Sequence, residues 1–211
     1  MQDLLVSQIS VQAVTMATLL LTIPLAIIMT NRYYRKRSKS LLFWSIGLWL
    51  FVLGVWMEVM FAFNIYSEAM IATYLFIVAL LVNSLALGSI QFVRSISIRR
   101  LYYLFSAASG AALLYSLAVI PTGYILVNYV VAQLPPLQII ALSSAITFPA
   151  AVAIVLIALR SYRERPNRKL LSIISGVVIV SVAGSLYIVQ FPAFLYVSEF
   201  IGILLLWYGF I

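Results

Sequence analysis

The sequence predicts an all-α integral membrane protein: a bundle of seven transmembrane helices with the N-terminus outside and the C-terminus inside. Three observations carry that prediction. The 211-residue chain is 65% hydrophobic and only 9% charged, with a mean hydropathy of +1.14, whereas soluble domains run at roughly 45–50% apolar and about 25% charged. Its apolar residues fall in seven continuous runs of the length a helix needs to cross a bilayer, about 20 residues. All 13 Lys and Arg residues lie in segments that alternate with cation-free ones. Continuous runs also exclude a β-barrel, whose strands would alternate over about 10 residues.

The first run, Val11–Thr30, has no basic segment ahead of it, so it reads as a span rather than a cleavable signal. It contains Thr22-Ile23-Pro24, and Arg32, Arg35, Lys36, Arg37 and Lys39 follow it. The second run, Leu41–Phe63, carries Glu58 together with Trp44, Trp49 and Trp56. Those indoles suit lipid, a partner protein or an isoprenoid quinone tail. The third, Ala69–Val93, opens on Ser67-Glu68, an N-cap and a first-turn acid that complements the helix dipole. It holds Asn83 near its middle and Gln91 near its end.

Arg94, Arg99 and Arg100 precede the fourth run, Leu101–Ile120, where Ala107, Ala108, Gly110 and Ala111 suit close helix packing. Ala86, Gly88 and Ser89 in the third run, and Ala183, Gly184 and Ser185 in the sixth, have the same character. The connection Pro121–Pro136 is long and too apolar for water, so it is expected on the membrane surface or against another protein. The fifth run, Leu137–Leu159, contains Thr147-Phe148-Pro149 and leads into Arg160, Arg163, Arg165, Arg168 and Lys169. The sixth is Leu170–Gln190. The seventh, Ala193–Ile211, holds Glu199 and lacks the basic flank of the other inward-running helices, which calls either for residues beyond Ile211 or for some other protection of its end. Together the runs leave no room for a soluble domain, so residues 1–211 form one membrane domain.

Because basic residues stay on the cytoplasmic side, the three cationic segments fix the orientation. The net charge of +8 is divided among those short segments and suits anionic lipid headgroups rather than nucleic acid. The expected location is a plasma membrane, that of a prokaryote. Cys and His are both absent, which removes disulfides, zinc sites, iron–sulfur clusters and histidine bases. No metal or catalytic residues are expected, and Asp3 is the sole aspartate. Retinal would need a lysine in the seventh span, but Lys36, Lys39 and Lys169 all lie in or beside inside loops.

Ionisable or amide groups inside spans are functional candidates by default. Glu58 and Glu199, each toward the outer side, can be read as a proton-coupling pair or as carboxylates held near the water boundary. Asn83 suits an interhelical hydrogen bond or a ligand contact. Pro24 and Pro149 each remove a backbone hydrogen bond and serve either as hinges or as fixed bends. Thr22 and Thr147 are placed to satisfy the freed carbonyls.

Landmarks recur in order along the two ends of the chain. Thr22-Ile23-Pro24 is echoed by Thr147-Phe148-Pro149. R-x-Y-R-x-R recurs at Arg32–Arg37 and Arg160–Arg165, Gly47 is echoed by Gly176, and Ser67-Glu68 by Ser198-Glu199. They suggest parallel repeats over 1–93 and 137–211, with the helix 101–120 as a linker. This plan resembles the 3+1+3 architecture of the SWEET and PQ-loop carriers, in which prolines bend the first and fifth helices. The resemblance is one of architecture: Pro24 is followed by Leu25 and Pro149 by Ala150, so no PQ dipeptide occurs.

The functional expectation is a non-catalytic accessory subunit of a larger membrane complex. It would bind lipids and other membrane subunits through helix faces and the 121–136 connection. A small-solute carrier is the alternative, and a ligand-sensing bundle the third reading.

Overall fold

The computed structural model describes residues 8–123, 125–127, 130–131, 133–164, 168–169, 171–176, 178–179 and 192–210. Among the described residues the protein is almost wholly helical, with seven helices. They are α1 (Gln8–Lys36), α2 (Lys39–Ala62), α3 (Glu68–Ile90), α4 (Ile96–Val119), α5 (Leu137–Glu164), α6 (seen over 171–176) and α7 (Pro192–Phe210). Among the described residues α1 to α5 are long and apolar enough to cross a membrane. The shortest of these, α3 with 23 residues, is roughly 35 Å long at 1.5 Å per residue, against a hydrocarbon thickness of about 30 Å.

Helices α1, α2, α4 and α5 overrun the apolar runs at their basic ends, whereas α3 stops at Ile90, short of Val93. The first helix continues past Thr30 to Lys36, and the fifth past Leu159 to Glu164. The fourth starts at Ile96 rather than Leu101, behind Ser95, whose side chain accepts from the Ile98 amide at 3.4 Å. Hydropathy marks where side chains leave apolar surroundings, whereas hydrogen bonding carries the backbone on into the polar zone. Cations in a last turn, as at Arg35 and Lys36, are stabilised by the helix dipole. The expected cap on α3 is present, with Ser67 accepting from the Met70 amide at 3.2 Å. Two turns need left-handed backbone. They are Arg37 (φ 49°), after α1, and Asn64 (φ 60°), after α2, and asparagine adopts that conformation readily.

The chief packing pairs are α1 with α2 and α7, α2 with α3, α3 with α4 and α5, and α4 with α5. One core cluster draws on α1, α2, α3, α5 and α7, around Leu25, Leu48, Phe51, Leu81, Ile154 and Ile203. A second joins α3, α4 and α5 through Ala79, Leu113, Ile139 and Ile146. The buried face of α1 repeats Val11, Thr15, Thr18, Thr22, Leu25 and Met29, alternating steps of four and three as a helix-packing seam does. Its threonines return their hydroxyls to their own helix, onto the carbonyls of Val11, Val14 and Thr18 at 2.8, 2.9 and 2.6 Å. Thr22 therefore serves Thr18, not the Leu20 carbonyl that Pro24 leaves free.

The starts and ends of several helices converge at one end of the bundle, the basic end. Trp44 of α2 lies against Phe92 beyond α3 and Phe210 of α7, with ring centroids 5.8 and 5.1 Å apart. Gly88 makes that possible, because a Cβ there would run into the Trp44 indole and lie 3.0 Å from the Ser40 carbonyl oxygen. A cation reaches the end of α7 from another helix: the Arg32 guanidinium donates to the Phe210 carbonyl.

The connection after α4 is described in part. It folds into a short antiparallel hairpin, β1 (Leu126–Val127) on β2 (Val130–Val131), with Leu126 opposite Val131. Ile125 and Leu126 are buried against Phe61, Ile71 and Tyr74, over the turn between α2 and α3. These two side chains cover their own bundle, and the rest of the apolar stretch lies largely outside the described residues. The hairpin marks the end opposite the basic one.

Candidate functional site

Near the hairpin end, three helices bring polar side chains into an otherwise apolar core. Glu58 falls on the buried stripe of α2 with Phe51, Val55 and Ala62, so the periodicity that buries those residues buries the carboxyl as well. In α3 the stripe Ile71–Tyr74 points the same way. In α7, Tyr196, Glu199, Ile203, Leu206 and Phe210 are the buried face. Glu58 is 2% exposed, Tyr74 6%, Tyr196 3% and Glu199 9%.

The Tyr74 hydroxyl donates to Glu58 Oε1 at 2.6 Å. The Glu199 carboxyl lies within hydrogen-bonding reach of the Glu58 carboxyl, and Tyr196 sits beside Tyr74. Glu58 Oε2 has no hydrogen-bond donor. Helix 1 closes the side of the site, with Gln12 Nε2 donating to the Ala62 carbonyl at 3.1 Å. Above it lie Phe61, Ile125 and Leu126. The site thus joins α2, α3 and α7 through two acids and a phenol, with no cation among its described neighbours.

Asn83 is in a different place. It is 2% exposed on α3, donates to the Ser106 hydroxyl of α4, and accepts from the Tyr102 hydroxyl at 3.5 Å. Its amide is engaged between two helices and does not join the carboxyl pair. Pro24 and Pro149 also stay apart from the site, since both face outward in helices that continue through them. The indole of Trp207 straps α7 to α1 one residue beyond the carbonyl that Pro24 frees, donating to Leu21 O at 2.7 Å.

Of the three tryptophans on α2, Trp44 is held inside by its bond to the Leu85 carbonyl at 3.1 Å. Trp49 and Trp56 face outward, 40% and 44% exposed. The small residues divide in the same manner. Ala86, Gly88 and Ser89 are buried between helices and so is Gly110, whereas Ala107, Ala108 and Ala111 are exposed, so among the described residues these three alanines do not make the expected packing. Ala183, Gly184 and Ser185 lie outside the described residues.

Sequence reasoning singled out both glutamates but missed Tyr74 and Tyr196. A signal was available: Tyr33, Tyr34, Tyr102, Tyr103 and Tyr162 flank basic segments, as membrane-interface tyrosines do. Tyr74 and Tyr196 lie far from any cation, at the depth of the two acids. A hydroxyl there has to find a buried partner. No family model matches the chain, and neither the curated proteins nor the solved structures yield a match.

Proposed function

We propose that the protein is a non-catalytic multi-pass membrane protein of seven spans, N-terminus outside and C-terminus inside, working as a membrane-embedded subunit of a larger complex. The orientation is supported by the thirteen cations, which occupy the ends and junctions of helices running to the basic end. The observation that carries the subunit reading is the outward face of α4. Ala107 and Ala111, and Ala108 and Ala112, form two exposed small-xxx-small pairs. In membranes such pairs concentrate where helix backbones approach closely, and lipid chains gain little from them. The occupant would be a membrane helix of another subunit.

The test is purification in mild detergent of the wild type and of the Ala108→Leu/Ala111→Leu variant. The expected result is a stoichiometric membrane partner with the wild type that is lost in the variant, while thermal unfolding of the chain itself is unchanged. A lone, monodisperse species in both preparations would overturn the reading.

A small-solute carrier is the second reading, and the buried Glu58–Glu199 pair favours it. The 3+1+3 repeat belongs with this reading. Gly47 packs on Leu81 and Leu85 of α3, and Gly176 on Gly202 and Leu205 of α7, so each glycine meets the third helix of its own triplet. The Ser-Glu landmark does not correspond. Ser67 caps α3 from outside, whereas Ser198 and Glu199 lie inside α7, which begins at Pro192. Uptake by liposomes driven by a pH gradient would support a carrier. No uptake across a panel of sugars and amino acids would count against it.

A further inference from the structure

We infer that Glu58 and Glu199 form a proton-binding site, one proton between two carboxyls, that latches α7 onto α2 beneath the hairpin. The inference depends on neither functional reading above, because it concerns what the pair binds and which helix it holds.

The donors at the site are too few. Tyr74 has one hydroxyl proton, and it goes to Glu58 Oε1 at 2.6 Å. Glu58 Oε2 is left without a protein donor while facing the Glu199 carboxyl. Two ionised carboxylates in contact repel each other, and such a pair holds a single proton in common. Among the described residues no cation is at hand to take the proton's place. Every Lys and Arg belongs to the segments 32–39, 94–100 and 160–169, and the one ion pair among the described residues is the exposed Arg160–Glu164 at 3.2 Å.

Among the described residues, the groups facing the pair come from four elements. From α3 comes Tyr74 and from α7 Tyr196. In the register set by the Gln12–Ala62 bond, α1 offers Gln12, Thr15 and Thr18, none of which ionises near neutrality. The hairpin offers Ile125 and Leu126, which keep bulk water off the pair.

The proton step balances simply. In the loaded state a Glu–COOH donates to the partner carboxylate, and the pair carries one negative charge. Release sends that proton to water and leaves two carboxylates of like charge. Tyr74 holds Glu58 to the α2–α3 unit in both states, so the repulsion acts on Glu199 and hence on α7. The main packing partner of α7 among the described helices is α1. The sign follows: the latch is closed while the shared proton is bound, and opens as pH rises through the titration of the pair.

The chain has no cysteine, so spin labels can be placed at Phe63→Cys and Val197→Cys, two exposed positions near the hairpin end of α2 and α7. The pH titration would be followed in the purified full chain by difference infrared spectroscopy and by the distance between the labels. We expect a protonated-carboxyl stretch in the wild type that disappears as pH rises, with the label distance widening over the same range. Glu58→Gln and Glu199→Gln each supply an amide donor to the remaining carboxylate. Each should lose the titrating band and keep the short label distance at every pH. No titrating band in the wild type, or a label distance indifferent to pH, would overturn the inference, and the wild-type titration decides this even if a variant fails to fold. Loss of the band at constant pH on replacing choline chloride with sodium chloride would also overturn it, assigning the site to a metal cation instead.

Discussion

A phenol that donates to a buried carboxyl has no substitute in an apolar core. Replacing Tyr74 with Phe keeps its packing against Phe61, where the rings meet edge-on with centroids 5.5 Å apart, and removes only the donor to Glu58. We expect Tyr74→Phe to lower stability by about 1–3 kcal/mol, the usual result of stranding a buried acceptor, measured by denaturant unfolding in detergent. Two glycines on neighbouring helices give a second, internal comparison. A Cβ at Gly54 would meet only Ile77, at 3.8 Å, whereas one at Gly88 would collide with the Trp44 ring. Gly54→Ala should therefore be neutral or stabilising, by up to about 1 kcal/mol from helix propensity. Gly88→Ala should cost about 1–3 kcal/mol through overpacking. Equal melting temperatures for the two variants would show that Trp44 is free to move aside.

At the level of elements, the hairpin is the part of the fold that was least legible in the sequence. The Val127–Val131 stretch has too little length to read as two strands, and its apolar character pointed outward because nothing local says which surface will cover it. Only the long-range packing of Ile125 and Leu126 on Phe61 and Ile71 decides the matter. We predict that Ile125→Ser/Leu126→Ser leaves the helices formed while speeding amide hydrogen exchange around residues 57–74. Exchange unchanged from the wild type would mean the hairpin is not a cover. The helices were far more legible, since each of the long ones announces itself by an apolar run. Their ends were less so, because Arg32 or Arg99 is polar by side chain and helical by backbone. The site was half legible for a related reason: an acid in a span is conspicuous, whereas Tyr74 and Tyr196 look like any other aromatic until a partner is found for the hydroxyl.

For the molecule as a whole, the test is which end faces which compartment. Single cysteines at Ser38, Ser97 and Asn167 should be shielded from an impermeant thiol reagent added to intact cells. Those at Asn64 and Asn128 should react. Labelling of Ser38 and Asn167 from outside would reverse the proposed orientation. The ring of neighbours was not legible in the sequence, because apolar helices carry little information about which of their kind they touch. Closure of α1 against α7 rests on particular contacts between residues far apart in the chain, such as Trp207 with Leu21 and Arg32 with Phe210.

That separation has a consequence for how the protein is made. Glu199 follows Glu58 by 141 residues, and ribosomes add about 5–20 residues each second, so the first carboxyl waits on the order of ten seconds for the second. Tyr74 arrives almost at once, 16 residues after Glu58, and can shelter the acid while the later helices are being threaded. Until α7 docks, the nascent bundle has an open flank with half of a polar pair on it. Such a gap is a natural place for a membrane chaperone to hold an unfinished chain, and a natural mark by which a quality-control protease could tell an incomplete copy from a finished one.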